Sequence, residues 1–113
     1  MTSRGPKKTE NMKQEIFDSY VTAIQNRFNF NSGELFVKTK RRDIVDARHL
    51  LYYMCHERPM RIRYIQQYMM GRGYDISHSS IIYGVAQVTA LRKEDDDYKN
   101  LIKELESDAV QST

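Results

Sequence analysis

From about residue 11 to 28 the apolar side chains Met12, Ile16, Tyr20, Ala23, Ile24 and Phe28 recur every three or four positions, the period of one helix face. The pattern stops at Asn29-Phe-Asn-Phe-Asn-Ser-Gly33, a turn-forming connector, and Glu34-Leu-Phe-Val37 reads as one short helical turn. A second periodic stretch runs to about Glu57, with Ile44, Ala47, Leu51, Met54 and Cys55 inward and Asp43 or Asp46 at its positive end. Pro59 ends it, because the residue before a proline avoids the helical region, and Pro59 suits the opening of the next helix. Residues 60–70 place Ile62, Ile65 and Met69 at spacings of three and four, and Gly71-Arg-Gly-Tyr-Asp75 breaks the chain again. Ser77 is a natural N-cap, its hydroxyl able to accept from the N–H of Ser79 or Ser80, for a helix reaching about Arg92. Glu94-Asp-Asp-Asp97 opens a final helix with Tyr98, Leu101, Ile102 and Leu105 inward. No segment reads as a strand. The expectation is an all-α fold of about five main helices, with Ile44, Leu51, Ile65, Ile81, Val85, Val88, Leu101 and Leu105 largely buried.

A length of 113 residues bounds this to one domain, too short to add a cofactor-binding module to its core. Residues 1–9 hold nothing apolar after Met1 and read as a disordered basic arm; residues 10–113 read as a single helical domain. The N-terminus lacks the apolar core of a signal peptide, and no stretch reaches the length of a membrane span. With a single cysteine no intrachain disulfide can form, so the expected setting is the reducing cytoplasm. Net charge is a mild +3 but unevenly spread. Residues 35–93 hold 11 Lys/Arg against 4 Asp/Glu, whereas residues 94–113 hold 2 against 7. A basic middle beside an acidic tail fits a surface that meets a polyanion; a merely solvated charged face is the plainer reading.

Two short helices joined by a Gly-containing connector, the second opening on Ser77-His-Ser-Ser80, form the pattern of a helix-turn-helix. A helix that enters the major groove N-terminus first must present hydrogen-bonding groups there and return to apolar packing behind them, as Ile81, Val85 and Val88 do. A Ser-rich cap on an ordinary surface helix is the alternative. Lys38-Thr-Lys-Arg-Arg42 packs four positive charges into five residues. Cys55-His56 with His49 lacks a second ligand pair, so no metal site is expected, and Cys55 reads as core. Ser77, Ser79 and Ser80 cannot pair with His78 as nucleophile and base, since neighbours on one turn point apart. Tyr52 and Tyr53 suit stacking on bases or, more ordinarily, a split between core and rim. No Gly-x-x-x-x-Gly-Lys-Ser/Thr is present, so nucleotide binding is not expected, and no constellation of residues supports a cofactor or an enzymatic activity.

Three pieces then carry a family resemblance: the basic run before Arg42-Asp-Ile-Val-Asp-Ala-Arg48, the helix Ala47-Arg-His-Leu-Leu-Tyr-Tyr53, and Ser77-His-Ser-Ser-Ile-Ile-Tyr-Gly-Val-Ala-Gln-Val88. In this order they make residues from about 30 to 105 resemble the C-terminal DNA-binding domain of the bacterial replication initiator DnaA. The resemblance implies sequence-specific binding of double-stranded DNA in replication initiation or its regulation, in a phage or mobile element that kept only this domain. His78 stands where the family sets a histidine against thymine methyls, and Ser79 and Ser80 stand for two threonines. Ser77 replaces an aspartate and Ile76 an arginine, which implies looser discrimination opposite Ser77. Lys40 occupies the place of a minor-groove arginine, with Arg41 and Arg42 beside it, and Arg48 matches an arginine near the DNA backbone. Lys38, Arg61, Arg63 and Arg72 complete the expected backbone contacts. The connector between the motif helices is about four residues longer than is usual in the family. The rival expectation is a protein-interaction module that docks on a replication or transcription protein through the 11–28 helix.

Overall fold

The computed structural model describes residues 8–112. Five α-helices follow in order: α1 Lys8–Phe28, α2 Arg42–His56, α3 Ile62–Gly71, α4 His78–Glu94 and α5 Asp96–Ser112, with a 3-10 turn at Glu34–Phe36 between the first two. There is no strand among the described residues. The expected arm lies outside them as far as residue 7, and Lys8 and Thr9 already belong to α1. None of these helices is long and apolar enough to cross a membrane.

Helix α2 is the axis of the domain. Leu50 through Cys55 are all buried, so this helix is enclosed on nearly every side. Helix α4 packs most extensively on α2, and α5 packs against α1. Phe17, Tyr20, Val21 and Ile24 of α1 meet the core formed by Leu51, Met54, Ile65 and Ile81. Cys55 lies there too, fully enclosed, and the loss of water around its thiol raises its pKa well above the usual thiol range.

Six of the eight residues expected inside are buried. Val85 and Leu101 are only partly so. In α5 the buried stripe is Ile102, Leu105 and Ala109, which leaves Leu101 on its edge. In α4 the closest approach to α2 is at Gly84, where an added Cβ would stand 2.8 Å from His49 Cδ2 and 2.9 Å from Tyr52 Cδ2. Val85 sits beside that crossing rather than in it. Tyr52 and Tyr53 are both buried, not divided between core and rim, and as folded neither ring is open to a base. Pro59 does not open α3. It lies in a turn held by the N–H groups of Arg58 and Met60, both donating to the Cys55 carbonyl, and α3 starts only at Ile62.

The α3–α4 connector follows from one glycine. Gly73 has φ +86°, a conformation that side chains with a Cβ rarely adopt. It lets the Tyr74 N–H reach back to the Met69 carbonyl and the Gly73 N–H to Met70, the bonding pattern that closes a helix C-terminus. Gln66 of α3 then donates to the Ile76 carbonyl at 2.8 Å, which fixes the approach to α4.

Candidate nucleic-acid interface

Ser77 caps α4 from an extended backbone, and its Oγ accepts from the Ser80 N–H at 3.1 Å. The Ser77 hydroxyl also donates to Ser80 Oγ at 3.0 Å. All four residues from Ser77 to Ser80 are exposed, and Ile81, the next residue, is fully buried. The first turn of α4 therefore divides: Ser77 and Ser80 spend hydroxyls on the cap, whereas His78 and Ser79 reach solvent with no side-chain partner among the described residues.

Two depressions flank the crossing of α2 and α4. One, of about 610 Å³, is lined by Val45, His49 and Tyr52 of α2, by Asp75 and Ile76 of the connector, and by Ser77, Ser79, Ser80 and Tyr83. The other shares Val45, His49 and Tyr83 with it and extends to Arg42, Gln87 and Leu91. The His49 and Tyr83 rings form the ridge between them, edge to face at 5.8 Å. Partial burial pulls the His49 pKa below its ordinary value; Asp46 opposes this, and Arg48 and Arg42 reinforce it. Beneath the groove, the Tyr52 hydroxyl is buried with no hydrogen-bond partner among the described residues, and loss of water raises its pKa far above the usual phenol value.

The cations expected on this surface separate into three groups. Lys38, Lys40 and Arg42 are exposed, and Arg42 (its side chain 89% accessible) has Asp46 at 3.7 Å and shares a depression with Asp95. Arg41 is exposed but committed: its guanidinium pairs with Glu34 and Asp43, both at 2.9 Å, and holds both carboxyls below their usual range. In Glu34 the Asn31 N–H lowers the value more than Arg41 does. Arg61 is exposed just ahead of α3. Arg63 donates to the Tyr64 hydroxyl at 3.2 Å and lies over its ring, with Lys13 of α1 also 5.0 Å from that ring.

Arg72 and Arg48 depart from expectation. Arg72 turns to α1, pairing with Asp18 at 2.7 Å and lying over Phe17 and Phe36. Arg48 is buried, only 4% accessible, so it cannot reach a phosphate as folded. Its Nε donates to the Leu35 carbonyl at 2.8 Å, another guanidinium N–H donates to the Val37 carbonyl, and the group lies 4.4 Å over the Tyr74 ring. Carbonyls at the end of a short 3-10 turn have no helical partner of their own, and a guanidinium fork satisfies two at once. Arg48 thus ties the segment leading into the basic run to the connector leading into α4. It is a positioning residue.

Sequence reasoning passed over Ile82, Tyr83 and Gly84, and weighed His49 only as a metal ligand. A usable signal existed for the last: a glycine inside an apolar helical pattern marks a close approach. No protein-family model matches the chain, and no solved structure matches it.

Proposed function

We propose that the protein binds duplex DNA in the cytoplasm through a helix-turn-helix formed by α3 and α4, as a module without enzymatic activity, in replication initiation or its control. The carrying observation is the abrupt change along α4, from an exposed polar first turn with His78 and Ser79 unpartnered to a body fastened on α2 through Ile81, Gly84 and Val88. Such a helix can enter the major groove by its N-terminus while its scaffold stays outside. Lys38, Lys40 and Arg42 supply cations with little or no internal neutralisation for the phosphates, and the likeness of the segment from about 30 to 105 to the DnaA DNA-binding domain points the same way.

The rival, protein docking through α1, has one observation in its favour: Met12 is 58% exposed beside a groove between α1 and α5. The rest of that helix's apolar face is spent on the core. Salt titration of binding to a fluorescent duplex separates the two readings. Wild-type affinity should fall steeply with salt, and Lys40→Ala with Arg42→Ala should reduce the log–log slope by about two, roughly 0.9 per lost phosphate contact. His78→Ala should lose about 1–3 kcal/mol on a duplex selected from a random pool and little on random DNA. Wild-type protein that binds neither duplex at low salt would overturn the proposal.

A further inference from the structure

The sixteen residues from Ile76 to Leu91 include no Asp, Glu, Lys or Arg, in a chain where 29% of residues are charged. Most of them form α4, whose outward face is open to solvent. A solvated helix face ordinarily carries charge, and this one carries Ile82 and Tyr83 instead, 55% and 59% exposed. At 100° per residue, Ile82 stands one turn beyond His78, and Tyr83 one turn beyond Ser79. Ala86 and Ala90 extend the same face with small side chains and are exposed. Two large apolar groups adjoining the polar first turn mark a contact surface rather than a solubilising one.

The place of this face on α4 identifies its occupant. Its rim is mixed in charge: Arg42 shares a surface depression with Tyr83, Gln87 and Leu91 but also with Asp46 and Asp95, and Arg92 turns away to a separate depression with Glu57 and Glu106. Its centre is uncharged and partly apolar, and it continues, one turn on, the side of α4 that carries the unpartnered His78 and Ser79. A helix that enters the major groove by that first turn brings its next turn over the groove floor, which offers uncharged base edges and thymine methyls.

We infer that Ile82 and Tyr83 form a second reading turn, in which Ile82 covers the 5-methyl of a thymine one or two base pairs beyond the pair facing His78, beside the Tyr83 ring braced on His49. This rests on the DNA-binding proposal and adds a ligand class to it: duplexes with a thymine at that step. Hydrophobic contact with a methyl is a known means of telling thymine from the other bases.

The probe is a duplex selected from a random pool by wild-type protein, with each thymine replaced in turn by deoxyuridine, which removes only the methyl. Wild type should lose about fourfold at one thymine adjoining the His78 step, the worth of one buried methyl. Ile82→Ala should lose a similar factor on the parent duplex and become insensitive to that one replacement, while Ile82→Val keeps part of the sensitivity. An exposed side chain leaves the fold intact on truncation, and an unchanged urea midpoint verifies it. If Ile82→Ala binds as wild type does, or its loss adds to the deoxyuridine loss at every position, the inference is overturned and the binding proposal stands. A concentration-dependent dimer in sedimentation that Ile82→Ala abolishes, with DNA affinity unchanged, reassigns the face to self-association and also overturns it. Wild-type protein that selects no duplex removes both.

Discussion

Arg72 and Arg42 each lie at a helix boundary in the basic middle of the chain, yet they do different work. Arg72 is drawn against α1, where Asp18 neutralises it and two aromatic rings cover it. Arg63 and Lys13 meet over Tyr64 on the same side of the fold. Arg42 stands in solvent at the edge of the α2–α4 groove, and Lys38 and Lys40, just ahead of it in the chain, are exposed too. One set of cations fastens helices and the other stays in solvent, where the proposed DNA contact would use it. Positive charge in a sequence is thus an incomplete indicator of polyanion binding; an internal partner decides, and that partner is usually distant in the chain.

The comparison breaks first at Arg48, the extreme member of the fastening set. Arg48→Ala should destabilise the domain by about 3 kcal/mol, because it strips charge-assisted bonds from two carbonyls and uncovers Tyr74. Urea denaturation measures this. Lys in its place should recover only part of the loss, since one ammonium cannot reproduce the fork. DNA affinity should fall at all sequences alike, because the basic run and the start of α4 lose their common tie.

Arg72→Ala should be milder, about 1 kcal/mol, since both partners in its ion pair are partly exposed and screened while the ring contacts add a few tenths. The distinguishing measurement is the salt slope of DNA binding, which should be unaltered in Arg72→Ala although it drops in the Lys40/Arg42 double variant. A reduced slope would move Arg72 to the ligand-facing set.

The smallest effect concerns pH. His49 has a folded pKa below its ordinary 6.5, whereas the unfolded chain takes up its proton near that value. The unfolded state therefore binds more protons just below pH 6.5. Stability from this residue is complete above that point and is lost as pH falls through the folded value. Glu34 and Asp43, whose ordinary pKa values are 4.5 and 3.8, titrate lower still and leave the window to His49. Urea midpoints at pH 7.5 and 5.5 should differ more in wild type than in His49→Gln. Equal differences would show that the ring is hydrated in solution.

The helices were legible because each buried stripe repeats within a few residues, and apolar spacing records that directly. The Ser77 cap was legible for the same reason: its partner is Ser80. What the spacing could not record were pairings between distant segments. Arg48 resembled a surface arginine because its acceptors, the carbonyls of Leu35 and Val37, are backbone atoms that no side-chain pattern announces. Arg72 finds Asp18 across 54 positions of chain. Tyr83 carried no signal in the sequence, and it is exposed because Gly84 occupies the face of α4 turned to α2 and the adjacent helical position points about 100° away.

Cys55 gives this architecture a built-in reporter. The thiol is the only one in the chain, and it lies in the last turn of α2 with no accessible surface. Alkylating reagents attack the thiolate, which burial both hides and disfavours, so modification must await an opening that takes the last turn of α2 out of the core. The rate of Cys55 labelling thereby times the rarest fluctuations of the domain with no tag added. Ligand that holds α4 against α2 will slow that clock in proportion to its occupancy.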